Sequence, residues 1–140
     1  MNLVFRQQIP APHATVAEFF SDTRNLIRIT PPWPRLSLEA PSTAVVEGAE
    51  YLLKFDFGPA VLRWRSRIIA VTQGRSFTDA SRGGLLREWV HTHSFTPEAG
   101  GTLLRDDVLC RPPWWCAPFV RVGIHLMFLH RKRALRRIFS

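Results

Sequence analysis

The chain has 140 residues, of which 46% are hydrophobic and 21% are charged; these values are close to the globular average and exclude a wholly disordered protein. Nineteen basic and eleven acidic residues give a net charge of +8, which makes nucleic acid, anionic membranes and acidic ligands candidate partners. Because seventeen of the basic residues are arginine, GC-rich coding DNA would explain the excess equally well. The length predicts one domain over residues 1–140.

Cysteine content and hydropathy together predict a cytoplasmic protein. Cys110 and Cys116 are too few for a disulfide framework and lack the spacing of metal ligands, so we expect free thiols. The first residues lack the charged leader and apolar run of a signal peptide. The most apolar stretch, residues 114–129, is too short to cross a bilayer and contains Arg121 and His125.

The first elements are a strand and two short helices. Residues 3–9 alternate between apolar and polar, which is the period of a strand. From Thr15 the apolar residues recur at intervals of three and four, as in an amphipathic helix. Residues 25–29 predict a further helical turn. It ends at residues 30–34, because three prolines there lack the amide donor that a helix needs.

Strand periodicity then dominates as far as residue 110, with glycine-containing turns between the strands. On one of these strands Arg63, Arg65 and Arg67 share a face, which is typical of an antiparallel sheet with one solvated side. The predicted strands cover residues 36–39, 51–57, 61–71, 76–79, 86–95 and 102–110.

The last element is a long helix over residues 117–139, apolar in its first half and basic in its second. No other predicted helix is long enough to cover the inner face of a single sheet. The pattern therefore predicts a curved antiparallel sheet of about seven strands wrapped around this C-terminal helix, with two short helices after strand 1. A concave space between such a sheet and its helix suits a small ligand.

Several stretches form an ordered set along the chain. They are residues 25–33, 45–48 with Tyr51, 64–68, 77–79, 89–95 and 100–102, followed by Asp106, Val108, Phe128, Arg131, Leu135 and Phe139. On these stretches the chain resembles the START-like, helix-grip superfamily (SRPBCC), and within it the bacterial polyketide cyclase/dehydrase-like ligand-binding proteins. No single stretch is specific, but the set runs nearly the whole length.

The resemblance implies an α+β helix-grip fold that binds a hydrophobic small molecule. An aromatic, polyketide-like or lipid-like ligand would occupy a cavity between the sheet and the C-terminal helix. The chain departs from the group at Gly84-Leu85, where members tend to have Gly-Pro, and at Cys110, where they tend to have an aromatic residue. Both departures lie near the expected cavity wall, so the ligand is not carried over from the group.

Eight residues are candidate ligand contacts, since they lie on inward-facing strand positions or on the last helix. A glycine in that helix would let a ligand approach the helix backbone. For the two tryptophans among them, ordinary core packing is the simpler interpretation. The candidates are Trp64, Trp89, His91, His93, Phe95, Phe119, Gly123 and Met127.

Two histidines and two aspartates are candidate catalytic residues. His91 and His93 are two apart on a predicted strand, so they face the same side. The next strand carries Asp106 and Asp107. A five-residue hairpin loop would place His91 opposite Asp107, whereas a four-residue loop would place His93 opposite Asp106. Either register brings a histidine and a carboxylate to a Cβ separation of about 4.5–5.5 Å.

Three interpretations of this His–Asp pair remain open. A structural cross-strand pair is the simplest. In an apolar cavity the same groups could act as general acid and base in a cyclisation or dehydration. Two histidines and a carboxylate are also metal-ligand types, but no further spacing supports an ion. We therefore expect neither a metal nor a cofactor.

The expected partner is a hydrophobic small molecule. Trp114 and Trp115, with the basic helix end, could also contact a membrane interface, as in a peripheral lipid carrier. The basic residues of 130–137 lie on several sides of the helix without a nucleic-acid motif, which argues against nucleic acid. No pattern indicates an oligomeric state. The charge divides into a strand face, a helix end and scattered arginines, and we interpret it as a solvated surface around a cavity.

Overall fold

The structure, a computed structural model, describes residues 1–39, 44–84 and 86–140. The elements within these residues are β1 Asn2–Ile9, α1 His13–Phe19, α2 Asn25–Arg28, β2 Arg35–Leu38, β3 Glu50–Asp56, β4 Val61–Thr72, β5 Ser76–Arg82, β6 Glu88–Glu98, β7 Gly101–Cys110 and α3 Ala117–Ile138. The strands form one antiparallel sheet in the order β1-β7-β6-β5-β4-β3-β2. The predicted α+β helix-grip fold is confirmed.

The predicted boundaries differ most from the structure at the end of β5 and at both ends of β6, which runs to Glu98 instead of Phe95. Strand β5 continues to Arg82, three residues past its predicted end, and β6 begins at Glu88 instead of Leu86. The chain reverses here through Gly83, Gly84 and Arg87, all with positive φ, and alternation alone does not show which residues form such a turn. At Gly84-Leu85 the sequence differs from the group it resembles, and Leu85 lies outside the described residues.

Strand β4 shows how the sheet separates a solvated face from a covered one. Arg63, Arg65 and Arg67 are exposed, as predicted. Ser66 and Ile68, the residues on either side of Arg67, are buried. Successive side chains of a strand point to opposite faces. The outer face therefore carries the arginines, and the inner face meets α3.

The core packs most tightly at the two ends of α3. Near its start, Ile124 and Phe128 pack against Leu3 and Val108 of the β1–β7 pair. Near its end, Leu135 joins a cluster from α1, α2, β1, β6 and β7. Buried apolar residues of β2, β3 and β4 form a third cluster. Because the three clusters do not merge into one, a space remains between α3 and the middle of the sheet.

Both cysteines are buried free thiols, as expected from their number. Burial raises the pKa of the Cys110 thiol, so the reactive thiolate is disfavoured there. In the described part of the chain, no helix is long and apolar enough to cross a membrane.

The β6–β7 hairpin gives a test of the fold. A Cβ at Gly101 would collide with the Ile9 carbonyl oxygen, whereas a Cβ at Gly123 of α3 would meet nothing within 4 Å. We expect Gly101→Ala to lower the free energy of unfolding by about 2–3 kcal/mol, since backbone must shift to relieve the clash. Gly123→Ala should instead raise it by roughly 0.5–1 kcal/mol, because alanine favours a helix. Chemical denaturation of both variants measures the difference; equal stabilities would contradict the described packing.

Candidate ligand cavity

A cavity of about 300 Å³ lies between the inner face of the sheet and α3. Its walls come from the α1–α2 region, from β2 to β6 and from α3, and most of the lining side chains are apolar. Ligand cavities in proteins measure about 300–1,000 Å³ and are mostly apolar with a few polar groups. The cavity therefore has the size and lining of a small-molecule site.

Six of the eight predicted contacts line this cavity: Trp64, Trp89, His91, His93, Gly123 and Met127. Phe95 and Phe119 do not. Phe95 is buried in the core, where its ring stacks on Phe20 at 5.1 Å. Phe119 is 79% exposed, on the side of α3 that faces away from the sheet. The helix carries apolar residues on both sides in its first half, so periodicity could not show which side faces the cavity.

Five ionisable residues from four elements meet at one end of the cavity, and we call them the polar cluster. They are Asp79 of β5, His91 and His93 of β6, Asp106 of β7 and Arg131 of α3, all buried. The register that forms pairs His93 with Asp106 across β6–β7, as the four-residue loop predicts, and His91 with Asp79 across β5–β6.

Asp107 is not part of the polar cluster, which corrects its inclusion among the catalytic candidates. The register places it opposite Thr92, and successive residues of a strand face opposite sides. On the outer face, Arg105 donates two hydrogen bonds of 2.8 Å to the Asp107 carboxylate. The five-residue loop that would bring Asp107 to His91 does not form.

Within the polar cluster, two carboxylates alternate with two imidazole rings. His91 Nε2 lies 2.8 Å from Asp106 Oδ1, and His93 Nε2 lies 3.2 Å from Asp79 Oδ2. His93 Nδ1 is 3.1 Å from Asp106 Oδ1 without the alignment of a hydrogen bond. The two rings lie 3.7 Å apart, centroid to centroid. Each histidine therefore contacts both carboxylates. The longest of these contacts joins His91 Nδ1 to Asp79 Oδ2 at 3.9 Å.

Arg131 brings a buried positive charge to the polar cluster. Its Nη1 lies 3.6 Å from Asp106 Oδ1, and its guanidinium lies over the Phe128 ring at 4.7 Å. Neither Nε nor Nη1 of Arg131 has a hydrogen-bond partner among the described residues, and the same is true of the buried Ser66 hydroxyl. Arg131 and Ser66 both line the cavity, but these polar atoms have almost no accessible surface and are covered by neighbouring atoms.

The two histidines titrate in opposite directions. Burial and the charge on His93 lower the pKa of His91, and its contact with Asp106 does not compensate. Burial also acts against the charge on His93, but Asp106 and Asp79 outweigh it and raise the pKa of His93. These shifts in pKa favour the neutral form of His91 and the charged form of His93. Since Asp106 accepts the proton on His91 Nε2, the Nδ1 of His91 keeps a free lone pair.

Both carboxylates remain ionised. Burial opposes their charge, but the histidines outweigh it and lower the pKa of Asp79 and of Asp106. Burial and the negative charge of Asp79 raise the pKa of the Tyr51 hydroxyl, another group that lines the cavity, so it stays protonated. When His93 is protonated, the two aspartates balance Arg131 and His93, and the polar cluster has no net charge.

Three members of the polar cluster have the donor types of a metal site. One ligand atom each from Asp79, His91 and His93 lies within 4.8 Å of the others, and nitrogen and carboxylate oxygen are ligands of zinc and similar ions. A metal would have to displace the proton of His93, because a coordinating imidazole nitrogen must be unprotonated. The charge balance without an ion makes a hydrogen-bonded cluster sufficient to explain these residues.

Asp79, Arg131, Ser66 and Tyr51 were not among the predicted site residues. Strand alternation could have found Asp79, because it shares the inward face of β5 with Phe77. Arg131 falls on the helical stripe of Ile124, Phe128 and Leu135, where a charged residue is unexpected. Both residues belong to the stretches that carry the family resemblance.

The chain is similar to known proteins over most of its length. A family model described as "Domain of unknown function (DUF8410)" matches residues 27–139. Protein CV1439 from Chromobacterium violaceum shares 17% identity at a TM-score of 0.78, covering 99% of this chain and 96% of that one. Ara h 8.0201 shares 12% identity at a TM-score of 0.69, covering 96% and 97%. The fold is thus Bet v1-like, as in SRPBCC proteins.

A third similarity is to part of a longer protein. The nucleoside-diphosphate sugar epimerase from Corynebacterium glutamicum shares 26% identity at a TM-score of 0.76, and the alignment covers 96% of this chain but 28% of that one. No curated protein matches the chain in sequence.

The opposite pKa shifts predict a stability maximum near pH 6.5. Because the pKa of His93 is raised above 6.5, its stabilisation is complete below that pH and is lost as the pH rises through the folded value. Because the pKa of His91 is lowered, stability also falls as the pH drops below about 6.5, by at most about 1.4 kcal/mol per pH unit for one group. The charged groups that face these rings are Asp79, Asp106 and Arg131.

Thermal denaturation between pH 5 and 9 should show both declines in stability. We call the decline below the maximum the acid limb and the decline above it the alkaline limb. His93→Gln should flatten the alkaline limb, and His91→Gln the acid limb. His125→Gln, at an exposed position of α3, is the control and should keep both. A wild-type profile without a decline on either side would contradict the assigned protonation states.

Proposed function

The chain belongs to the family described as Domain of unknown function (DUF8410), and we propose that it binds a hydrophobic small molecule in the cavity between the sheet and α3. Its Bet v1-like fold suggests hydrophobic ligand binding. The proposal adds that the ligand is aromatic or polyketide-like and that it carries an oxygen acceptor, such as a carbonyl, at the end next to the polar cluster.

One observation supports this proposal above all: the wall of an apolar cavity includes Arg131, a buried cation whose Nε and Nη1 make no hydrogen bond. A buried donor without a hydrogen bond costs about 1–3 kcal/mol. These two atoms have almost no accessible surface, so a small movement of the Arg131 side chain would bring them to a ligand oxygen, while the ligand's apolar body would contact Trp64, Trp89 and Met127.

The cavity volume narrows the ligand class. About 300 Å³ is at the lower end of the range for ligand cavities, which favours a compact ring system over a long acyl chain. With His93 protonated the polar cluster carries no net charge, and it then favours an uncharged acceptor over a carboxylate, whose charge would remain uncompensated after burial. A lipid-like ligand therefore fits less well than an aromatic or polyketide-like one.

Substitution of Gly123 tests the cavity. Gly123→Leu places a side chain at the cavity rim, where a Cβ meets nothing within 4 Å, and it should raise the melting temperature of the unliganded protein because leucine favours a helix. It should also reduce or abolish the thermal shift that the wild type shows with a panel of aromatic ketones, polyketide-like compounds and fatty acids.

Val122→Leu is the matched control, since Val122 is an exposed neighbour in the same helix and does not line the cavity. Its ligand-induced shift should equal that of the wild type. No shift with any member of the panel, or an unchanged shift in Gly123→Leu, would contradict binding in this cavity.

A second candidate function is a polyketide cyclase or dehydratase, and the separated pKa values of the two histidines favour it. Neighbouring groups whose environments drive their pKa values apart can serve as a base and an acid at the same pH. His91 Nδ1 would take the α-proton of a β-hydroxy ketone, and charged His93 would donate a proton to the departing hydroxyl. The products are an enone and water, and one proton then returns from His91 to His93.

An aromatic β-hydroxy ketone is a direct probe of this reaction, because the enone product absorbs at longer wavelength than the substrate. The wild type should accelerate enone formation with a bell-shaped pH profile, and His91→Gln and His93→Gln should each reduce the rate by about 10²-fold or more. His125→Gln should match the wild type. Saturable binding of the probe without turnover would agree with the binding function and would contradict the enzymatic one.

A further inference from the structure

The side of α3 that faces away from the cavity carries large exposed apolar residues. Phe119, Val122, Leu126 and Leu129 recur at intervals of three and four, so they form one stripe along about 15 Å of helix. Trp114 and Trp115 precede the helix and are also exposed, Trp114 at 86%. We call these six residues the outer apolar face. Contiguous exposed apolar surface of this kind marks an interaction site.

The net charge of the chain is concentrated next to this face. Residues 111–140 hold seven basic residues and no acidic one, whereas residues 1–110 hold twelve basic and eleven acidic residues. The last segment therefore carries seven of the eight net positive charges. The sequence divides its charge into a strand face with Arg63, Arg65 and Arg67, a helix end and scattered arginines, and almost all of the unbalanced charge belongs to the helix end.

Most of these cations are available to a partner. Arg131 is buried in the polar cluster, and Arg111 pairs with Glu88 at 3.0 Å. The other five have no ion pair within the described ranges: Arg121, Lys132, Arg133, Arg136 and Arg137. By helical spacing, Arg133 and Arg137 continue the line of Leu126 and Leu129 toward the helix C-terminus.

We propose that the outer apolar face and these cations dock the protein on an anionic membrane surface. A helix that lies in the interface buries an apolar face at the level of the acyl chains and uses basic residues to contact anionic headgroups. Tryptophan is favoured at the headgroup level. Each basic residue near such a surface contributes about a fivefold increase in binding.

The composition of this face argues against other occupants. A second copy docked through the same face would offer no acidic residue to the cations, because residues 111–140 contain none. A nucleic acid would neutralise the cations but would leave Phe119, Val122 and Leu126 without a contact that offsets their exposure. An anionic bilayer satisfies the charge and the apolar stripe together.

The cavity reaches the surface beside this face. Gly123 is exposed and lines the cavity rim, and it follows directly after Val122 of the outer apolar face. Docking would therefore hold the rim close to the membrane. The docking proposal does not depend on what the cavity binds, and its test uses the protein without added ligand.

Vesicle co-sedimentation tests the charge contribution. The wild type should bind phosphatidylcholine vesicles that contain about 30% phosphatidylserine and should bind pure phosphatidylcholine far more weakly. The triple variant Arg133→Gln, Arg136→Gln, Arg137→Gln should lose on the order of a hundredfold in binding. The matched control is Arg63→Gln, Arg65→Gln, Arg67→Gln, which removes the same charge from the outer face of β4 and should keep most of the binding because screening confines the attraction to about 10 Å.

The apolar contribution has its own variant. Phe119→Ser with Leu126→Ser should abolish the binding that remains at high salt, while the melting temperature stays close to that of the wild type because both side chains are exposed. A blue shift of tryptophan fluorescence on vesicle addition, absent in Trp114→Phe with Trp115→Phe, places the tryptophans at the interface.

Four results would overturn the proposal: equal binding to neutral and anionic vesicles, equal losses in the two arginine variants, self-association without vesicle binding, and binding to duplex DNA with none to vesicles. Failure of ligand binding in the cavity would leave docking unaffected, since the vesicle experiment contains no cavity ligand.

Discussion

The buried carboxylate of Asp106 is the group on which the arrangement of the site depends. It contacts His91 and His93 of the neighbouring strand and Arg131 of α3, so one side chain connects the sheet to the helix that covers it. An ion buried without partners costs several kcal/mol. The strand register and the position of α3 therefore have to supply histidine and guanidinium groups at this point, and the cavity lies beside the groups that result.

Strand and helix periods predicted the order and type of every element, because most inner-facing strand positions and the inner stripe of each helix are apolar. The strand period did not distinguish the two possible registers of the β6–β7 hairpin, since both placed a histidine opposite a carboxylate. The formed register brings His93 to Asp106 and turns Asp107 outward. Asp79 and Arg131 were missed because they are ionised residues at core positions, where a single sequence gives no indication of the partners that stabilise them.

The similarity to solved structures accounts for the fold but does not identify the ligand, which depends on the residues of the cavity wall. Proteins of this architecture share the curved sheet and the long helix, and both follow from periodicity. The residues that line the space differ in character: tryptophans from β4 and β6, two imidazoles whose pKa values shift in opposite directions, and an arginine with two nitrogens that make no hydrogen bond. The proposal of an uncharged, compact, oxygen-bearing ligand rests on these features.

Arg131 also fixes the rotation of α3 about its own axis. In the first half of the helix, large apolar residues occupy both sides: Ile124 and Phe128 toward the sheet, Phe119 and Leu126 away from it. In this half of the helix, half a turn would bury a similar set of apolar side chains. In the second half it would replace the buried Leu135 with basic residues such as Arg133. The opposite rotation would also leave the Asp106 carboxylate buried without the Arg131 cation. The ion pair and the Leu135 contacts thus select one orientation, which leaves the outer apolar face exposed.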